Sequence, residues 1–144
     1  MVSEKIQKIS RIILIFILAF IWGNSLLDAS KSAQISSGVK EIILETVEII
    51  TETDLSNIIN DYTIRKIAHF TQFAMLGFFT ILSFPKKYLF INIFGIFVSS
   101  TDELIQLFIP GRGPQIIDIF IDILGFTIGF LICYLIIKLL DRKN

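Results

Sequence analysis

The sequence predicts an all-α integral membrane protein: a bundle of four transmembrane helices, with a short extracytoplasmic amphipathic helix between the first and the second. Three observations predict this class. Hydrophobic residues make up 53% of the 144 residues and the mean hydropathy is +0.75, which is more apolar surface than a soluble protein of this length can bury. Long apolar runs alternate with polar segments, and basic residues concentrate in every second polar segment. We expect residues 1–144 to form a single domain.

The first two predicted spans are uncharged, whereas the last two each include a pair of carboxylates. The third apolar run is too short to cross a bilayer alone, because a helical span needs about 20 residues. It must therefore continue through Asp102 and Glu103. The fourth span includes Asp118 and Asp122 near its start. The predicted spans are residues 12–27, 67–84, 88–108 and 116–140.

The basic residues orient these spans, because Lys and Arg accumulate in cytoplasmic loops. They cluster before the first span, between the second and third, and after the fourth, and with four spans these segments share one side. On that side, eight basic residues face only Glu4 and Asp141. Both termini are therefore expected in the cytoplasm, and the four carboxylates are expected toward the extracytoplasmic face. A cleaved signal peptide is the alternative for the first span, but its apolar run is longer than usual and rich in Ile.

The polar segment 28–66 connects the first two spans and is predicted to contain the amphipathic helix. Apolar residues and one Thr recur in it at helical spacing, on one face of a helix. This face could pack over the mouth of the bundle, which is the interpretation we favour, or it could contact a partner or lipid. The residues are Val39, Ile42, Ile43, Thr46, Val47 and Ile50.

Polar or small residues also follow one face of each of the last three spans. In the fourth span, Gly125 and Gly129 form a GxxxG pair that lets another backbone approach closely. These three faces can point toward one interior. The faces consist of His69, Gln72, Leu76 and Thr80 in the second span, Asn92, Gly95, Ser99, Asp102 and Gln106 in the third, and Asp118, Asp122, Gly125, Gly129 and Cys133 in the fourth.

The turn between the third and fourth spans should bring the carboxylates together. Pro110 and Gly111 suit the centre of a type II turn, where Gly adopts positive φ, and Pro114 is placed to open the next helix. The resulting antiparallel hairpin would hold Arg112 beside the four carboxylates.

The charges of this region nearly cancel. Four carboxylates face Arg65, Lys66, Arg112 and, when protonated, His69. A metal is therefore not required, although such a cluster could hold Ca²⁺ or Mg²⁺. We expect no metal and no cofactor. The zero net charge gives no signature of a nucleic-acid-binding protein.

Three strings in this chain resemble the VanZ-like family of small bacterial membrane proteins. They are RKIAHF at 65–70, DELIQLFIPGR at 102–112 and DIFIDILGFTIG at 118–129. The resemblance implies a multi-pass protein of the bacterial cytoplasmic membrane, and some relatives raise tolerance to teicoplanin and related antibiotics. It carries over a motif set without assigned roles: His69, Asp102, Glu103, Gln106, Arg112, Asp118 and Asp122.

The predicted function is binding of an anionic membrane lipid or lipid-linked envelope component at the extracytoplasmic face. Arginine can bind phosphate bidentately, and the apolar spans could accept a lipid tail. Such binding could lower sensitivity to teicoplanin-type glycopeptides. The candidate ligand-binding residues are Arg65, Lys66, His69, Asp102, Glu103, Gln106, Arg112, Asp118 and Asp122.

Three alternatives remain open at this point. The chain could be an enzyme acting on a lipid-linked substrate, with His69, Glu103 and Asp102 as the candidate catalytic residues. It could be a proton-coupled transporter using Asp102 or Asp122, which four spans would support only as a homo-oligomer. Finally, the polar residues could simply satisfy one another and hold the bundle together, although ionisable residues at membrane depth are usually functional.

Overall fold

The computed structural model describes residues 2–51 and 59–143. These residues form five α-helices and no β-strand, so the predicted all-α class is confirmed for this part of the chain. The helices are α1 (Glu4–Ser25), α2 (Ala29–Thr51), α3 (Asp61–Ser83), α4 (Tyr88–Leu107) and α5 (Ile116–Lys143).

Capping residues begin α1 and α3 well before the apolar runs that predicted them. The Ser3 hydroxyl accepts a hydrogen bond from the Ile6 amide at 3.3 Å. The Asn60 side chain accepts one from the Thr63 amide at 2.9 Å. Such caps satisfy amides that have no partner within the helix, so each helix extends about two turns beyond its apolar run.

Helix α3 lies at the centre of the bundle, packed against each of the other four helices and most extensively against α5. Two glycines of α5 permit this approach. A Cβ added at Gly125 would overlap the backbone carbonyl of Phe70, and one added at Gly129 would overlap that of Ala74. The predicted close contact at the GxxxG pair is therefore confirmed, with α3 as the partner helix.

Apolar side chains form both the core and much of the outer surface. Phe16, Leu89 and Phe108 are 70%, 76% and 80% exposed, respectively. A continuous apolar exterior of this kind suits a lipid environment. The buried core consists of Leu14, Ile17, Ile21, Phe73, Leu76, Ile81, Ile91, Val98, Phe126 and Cys133.

Three helices among the described residues are long and apolar enough to cross a membrane: Glu4–Ser25, Tyr88–Leu107 and Ile116–Arg142. Helix α3 is not among them. It carries Lys66, His69 and Gln72 within its first twelve residues, and these residues lower its mean hydropathy.

Helix α2 is longer than the short helix predicted. The Asp28 side chain accepts a hydrogen bond from the Lys31 amide at 2.9 Å. This contact caps the first turn and so lengthens the helix. Ile42 and Ile50, expected to pack over the bundle mouth, are 66% and 74% exposed. The helix is instead attached to the start of α3, where Asp61 accepts from Lys40 at 2.9 Å and from Ser37 at 3.3 Å.

The turn between α4 and α5 has the predicted form. The Arg112 amide donates to the Ile109 carbonyl at 3.1 Å, and Gly111 between them has φ of +73°. Helix α5 begins at Ile116, two residues after Pro114, so Pro114 precedes the helix and does not form its first turn.

Candidate functional site

A cluster of buried polar residues lies at the end of the bundle where α1 ends, α4 ends and α5 begins. Its centre, called here the inner cluster, consists of His69, Asp102 and Asp122 from three different helices. Nδ1 of His69 lies 3.2 Å from Oδ1 of Asp122 and 3.9 Å from Oδ2 of Asp102. Both carboxylates are fully buried. The polar faces predicted on the last three spans therefore meet in one interior.

Neighbouring side chains occupy the remaining carboxylate oxygens of the inner cluster. Gln106 donates to Asp102 at 3.0 Å, and the Ser99 hydroxyl donates to Asp122 at 3.3 Å. The Ser25 hydroxyl donates to the other Asp102 oxygen. Ser25 lies in the last turn of α1 and was missed in the sequence analysis, where the only available signal was a hydroxyl at the polar end of an apolar span. Its contact places α1 at the site.

Among the described residues, the inner cluster is also the group whose ligand atoms are close enough to hold a cation. One ligand atom from each of its three residues lies within 4.8 Å of the other two. Imidazole and carboxylate groups are ordinary metal ligands. However, protein donors already contact each carboxylate, so the geometry is equally explained by hydrogen bonds alone.

Asn92, predicted on the polar face of the third span, does not reach the site. It is exposed, and its side-chain amide donates to the carbonyl of Tyr88 at 3.0 Å. Two turns separate it from Ser99, so it lies at the opposite end of the bundle from the inner cluster.

Glu103 is buried beside the start of α5. One oxygen, Oε2, accepts the backbone amide of Gln115 at 2.7 Å. The other, Oε1, is buried and has no hydrogen-bond partner among the described residues. A buried carboxylate oxygen without a partner is unfavourable, so this atom is a candidate for contact with a proton or a polar ligand.

Lys66 and Asp118 form an ion pair on the outer side of the inner cluster. The Lys66 ammonium also donates to the Gln115 side chain at 3.1 Å and lies 4.6 Å from the centre of the Tyr62 ring. The positive charge of Lys66 therefore offsets the negative charge of Asp118. This ion pair joins the start of α3 to the start of α5.

Arg112 caps the end of α1. Its Nη1 atom lies 3.0, 3.4 and 3.3 Å from the carbonyl oxygens of Asn24, Ser25 and Leu27. Its Nη2 atom has one long contact, 3.5 Å to the Ser32 hydroxyl. Burial lowers the pKa of the Arg112 guanidinium, but arginine starts from so high a value that it keeps its charge.

Arg65 differs from these two cations because it has no hydrogen bond or ion pair with any other described residue. It is half-buried, one residue before Lys66 on α3. Its charge acts on Asp61, one turn earlier on the same helix, without a hydrogen bond between them.

Two adjacent cavities open at this end of the bundle. The polar cavity, about 210 Å³, is lined by six of the nine predicted ligand-binding residues, while Asp102, Glu103 and Asp122 lie behind it. An apolar groove of about 350 Å³ lies between α1, α2 and α3. A larger cavity of about 510 Å³ lies at the other end, away from the motif residues. The six residues lining the polar cavity are Arg65, Lys66, His69, Gln106, Arg112 and Asp118.

Comparison with known proteins gives one match. A family model described as VanZ/LLP1 matches residues 11–138, which is most of the chain and includes every candidate site residue. Neither a search of curated proteins nor a search of solved structures returns a match.

Proposed function

This chain belongs to the VanZ/LLP1 family, and we propose that it binds the phosphate of an anionic membrane lipid or lipid-linked envelope component at the extracytoplasmic face. The family and the three apolar helices make it a membrane protein. The observation that carries the proposal is the polar cavity, in which three cations converge on a space of about 210 Å³.

The cations of this cavity suit a phosphate group. The charge of Lys66 is offset by the charge of Asp118. The Nη2 atom of Arg112 makes no contact with α1 and has only the long contact with the Ser32 hydroxyl. Arg65 lines the same cavity and has no hydrogen bond or ion pair with another described residue. Because a guanidinium presents two parallel N–H groups to a phosphate, Arg65 and Arg112 are the expected head-group ligands.

We place α1, α3, α4 and α5 across the bacterial cytoplasmic membrane, with α2 at the extracytoplasmic surface and both termini in the cytoplasm. Support for α3 as the fourth span comes from its position, since it lies between three apolar helices with His69 turned inward. Within the predicted span its exposed residues are Ile67, Thr71 and Met75, and the Thr71 hydroxyl donates to the Ile67 carbonyl at 2.8 Å within the helix. Basic residues at the opposite end support this orientation.

The binding proposal is tested on protein purified in a mild detergent, by mass spectrometry of the lipids that it retains. Wild type is expected to retain a phosphate-bearing lipid, and Arg65→Gln is expected to lose most of it. Lys31→Gln is the matched control, because Lys31 lies on the same side, has a side chain 67% exposed and lines neither cavity. Equal retention by all three proteins would contradict the proposal.

In cells, the proposed binding should lower sensitivity to teicoplanin-type glycopeptides, because these antibiotics act on lipid-linked wall precursors. The measurement is the teicoplanin concentration that stops growth of a susceptible Gram-positive host. Wild type should protect, and Arg65→Gln and Glu103→Gln should not, at matched amounts of protein in the membrane. Absence of protection by wild type would separate this chain from the antibiotic effect.

A second candidate function, an enzyme acting on the same class of lipid, is favoured by one observation. Glu103 Oε1 is buried and unpartnered within the described residues, and His69 is oriented by Asp122 at 3.2 Å. A histidine that is oriented by a carboxylate can act as a base, and a second carboxylate without a partner can exchange a proton with a substrate. This function predicts a new or missing lipid species in extracts from expressing cells, and Glu103→Gln should abolish that change.

A further inference from the structure

We infer that the apolar groove between α1, α2 and α3 holds the hydrocarbon chain of the lipid whose phosphate lies in the polar cavity. This inference rests on the proposed function, and it assigns the two halves of one amphipathic ligand to two adjacent spaces. The ligand class is then a lipid phosphate with a chain that leaves the bilayer laterally to enter the protein.

The walls of the groove suit a hydrocarbon chain. Its volume is about 350 Å³, and apolar side chains line it on three sides. Along α3 the lining residues extend from Ile64 to Gln72, which is eight residue steps or about 12 Å at the rise of an α-helix. The apolar lining consists of Phe20 and Leu27 from α1, Ile35 and Val39 from α2, and Ile64 and Ala68 from α3.

The groove and the polar cavity are continuous. Arg65, His69 and Arg112 line both spaces, so a phosphate bound by the two arginines lies at the polar end of the groove. This arrangement matches the charge order of a lipid phosphate, with the anion next to the cations and the chain beyond them. A soluble phosphate would use the cavity but leave the groove unexplained.

The groove is also accessible from the side of the bundle. Phe20, Ile35 and Val39 are 55%, 55% and 41% exposed, so its rim is apolar. The Ser36 hydroxyl donates to the Ser32 carbonyl at 2.9 Å, within its own helix. That hydroxyl is therefore already used within its own helix, and the exposed apolar rim favours a hydrocarbon chain as the occupant.

The test compares a head-group probe with a probe that adds a chain. Binding of ethyl phosphate and of octyl phosphate to the purified full chain is measured by titration calorimetry. Wild type should bind octyl phosphate at least tenfold more tightly, because the chain buries apolar surface in the groove. Val39→Trp, which fills the groove, should reduce that ratio to about threefold or less.

Ile42→Trp is the matched control. Ile42 lies three residues further along α2, is 66% exposed and does not line the groove, so this variant should keep the wild-type ratio. Ethyl phosphate should bind equally to all three proteins, which also shows that each variant is folded.

The outcomes separate this inference from the proposed function. If ethyl phosphate binds but octyl phosphate binds no better, or if Val39→Trp leaves the ratio unchanged, the groove does not hold the chain and phosphate binding stands. If neither phosphate binds to wild type, the proposed function fails and the inference fails with it.

Discussion

The inner cluster and Arg65 lie at the same end of the bundle but differ in how many hydrogen bonds the described residues give them. Asp102 and Asp122 are fully buried, and each accepts from a hydroxyl. Arg65, one turn of α3 before His69, has no hydrogen bond or ion pair with another described residue. The inner cluster therefore links α1, α3, α4 and α5, whereas Arg65 is the residue to which we assign ligand binding.

This contrast follows from where each charge lies. A buried charge without a partner is strongly destabilising, so the inner carboxylates are stable only because α1, α3, α4 and α5 all supply contacts to the region. A charge beside an open cavity is hydrated and needs no such compensation. The inner cluster is therefore expected to respond to mutation through stability, and Arg65 through binding.

The largest expected effect removes the packing on which both regions depend. Gly129→Ala places a Cβ against the backbone carbonyl of Ala74, and a carbonyl cannot move aside as a side chain can. We expect a loss of more than about 3 kcal/mol in stability. The measurement is thermal unfolding in detergent, together with the yield of folded protein.

Gly23→Ala is the control for that change. A Cβ added at Gly23 meets nothing within 4 Å, so the same substitution in α1 should be neutral or slightly stabilising. If the two variants unfold at the same temperature, the close contact between α3 and α5 does not exist as described.

The next largest effect breaks the inner cluster alone. Asp122→Ala removes the partner of His69 at 3.2 Å and one acceptor of the Ser99 hydroxyl at 3.3 Å. We expect a loss of about 2–3 kcal/mol, because buried polar groups remain without partners. Thermal unfolding again measures it.

The comparison variants are Asp122→Asn and Arg65→Gln. Asp122→Asn keeps a polar group of the same size and should recover at least half of the loss. Arg65→Gln should change stability by less than about 0.5 kcal/mol, because no described contact is broken. A large loss for Arg65→Gln would remove the distinction between the two regions.

Arg112 has an intermediate expected effect because it makes structural contacts and also lines the polar cavity. It contacts three carbonyls at the end of α1 through Nη1, and it also lines the polar cavity. Arg112→Gln should cost about 1.5 kcal/mol, the usual size for hydrogen bonds to a charged group, and it should also weaken phosphate binding. Unchanged stability with weakened binding would make Arg112 a ligand residue alone.

Much of the fold could be predicted from the sequence because hydropathy and helical spacing are local properties. The apolar runs predicted four of the five helices, and the fifth was expected but shorter. The extra length of α2 comes from the cap at Asp28, a side-chain contact that composition does not reveal. The central position of α3 was also not predictable, because the sequence does not indicate which helix packs against Gly125 and Gly129.

The candidate site was less predictable because it depends on contacts between distant residues. Spacing within each helix identified Asp102 and Asp122, which do meet. Ser25 lies 77 residues before its partner Asp102, and no pattern within α1 indicates that contact. Arg112 lies on the turn, as expected, and close enough to Asp102, Glu103 and Asp118 to interact with their charges. Its hydrogen bonds go to carbonyls at the end of α1, which any sequence could supply.

The smallest expected effect concerns the attachment of α2 to α3 at Asp61. Hydrogen bonding and the charge of Lys40 lower the pKa of Asp61 below its usual value of 3.8. Because the folded pKa is the lower one, this contact contributes fully at neutral pH and is lost as the pH falls through that lowered pKa.

We therefore expect Lys40→Met to reduce amide protection in α2 by about twofold at pH 7, a small effect typical of an exposed ion pair. Hydrogen exchange at an acidic pH should show a smaller difference between wild type and Lys40→Met than at pH 7, since Asp61 becomes protonated as the pH falls through its lowered pKa. A difference that is the same at both pH values would mean that Lys40 holds α2 through packing of its aliphatic chain and not through its charge.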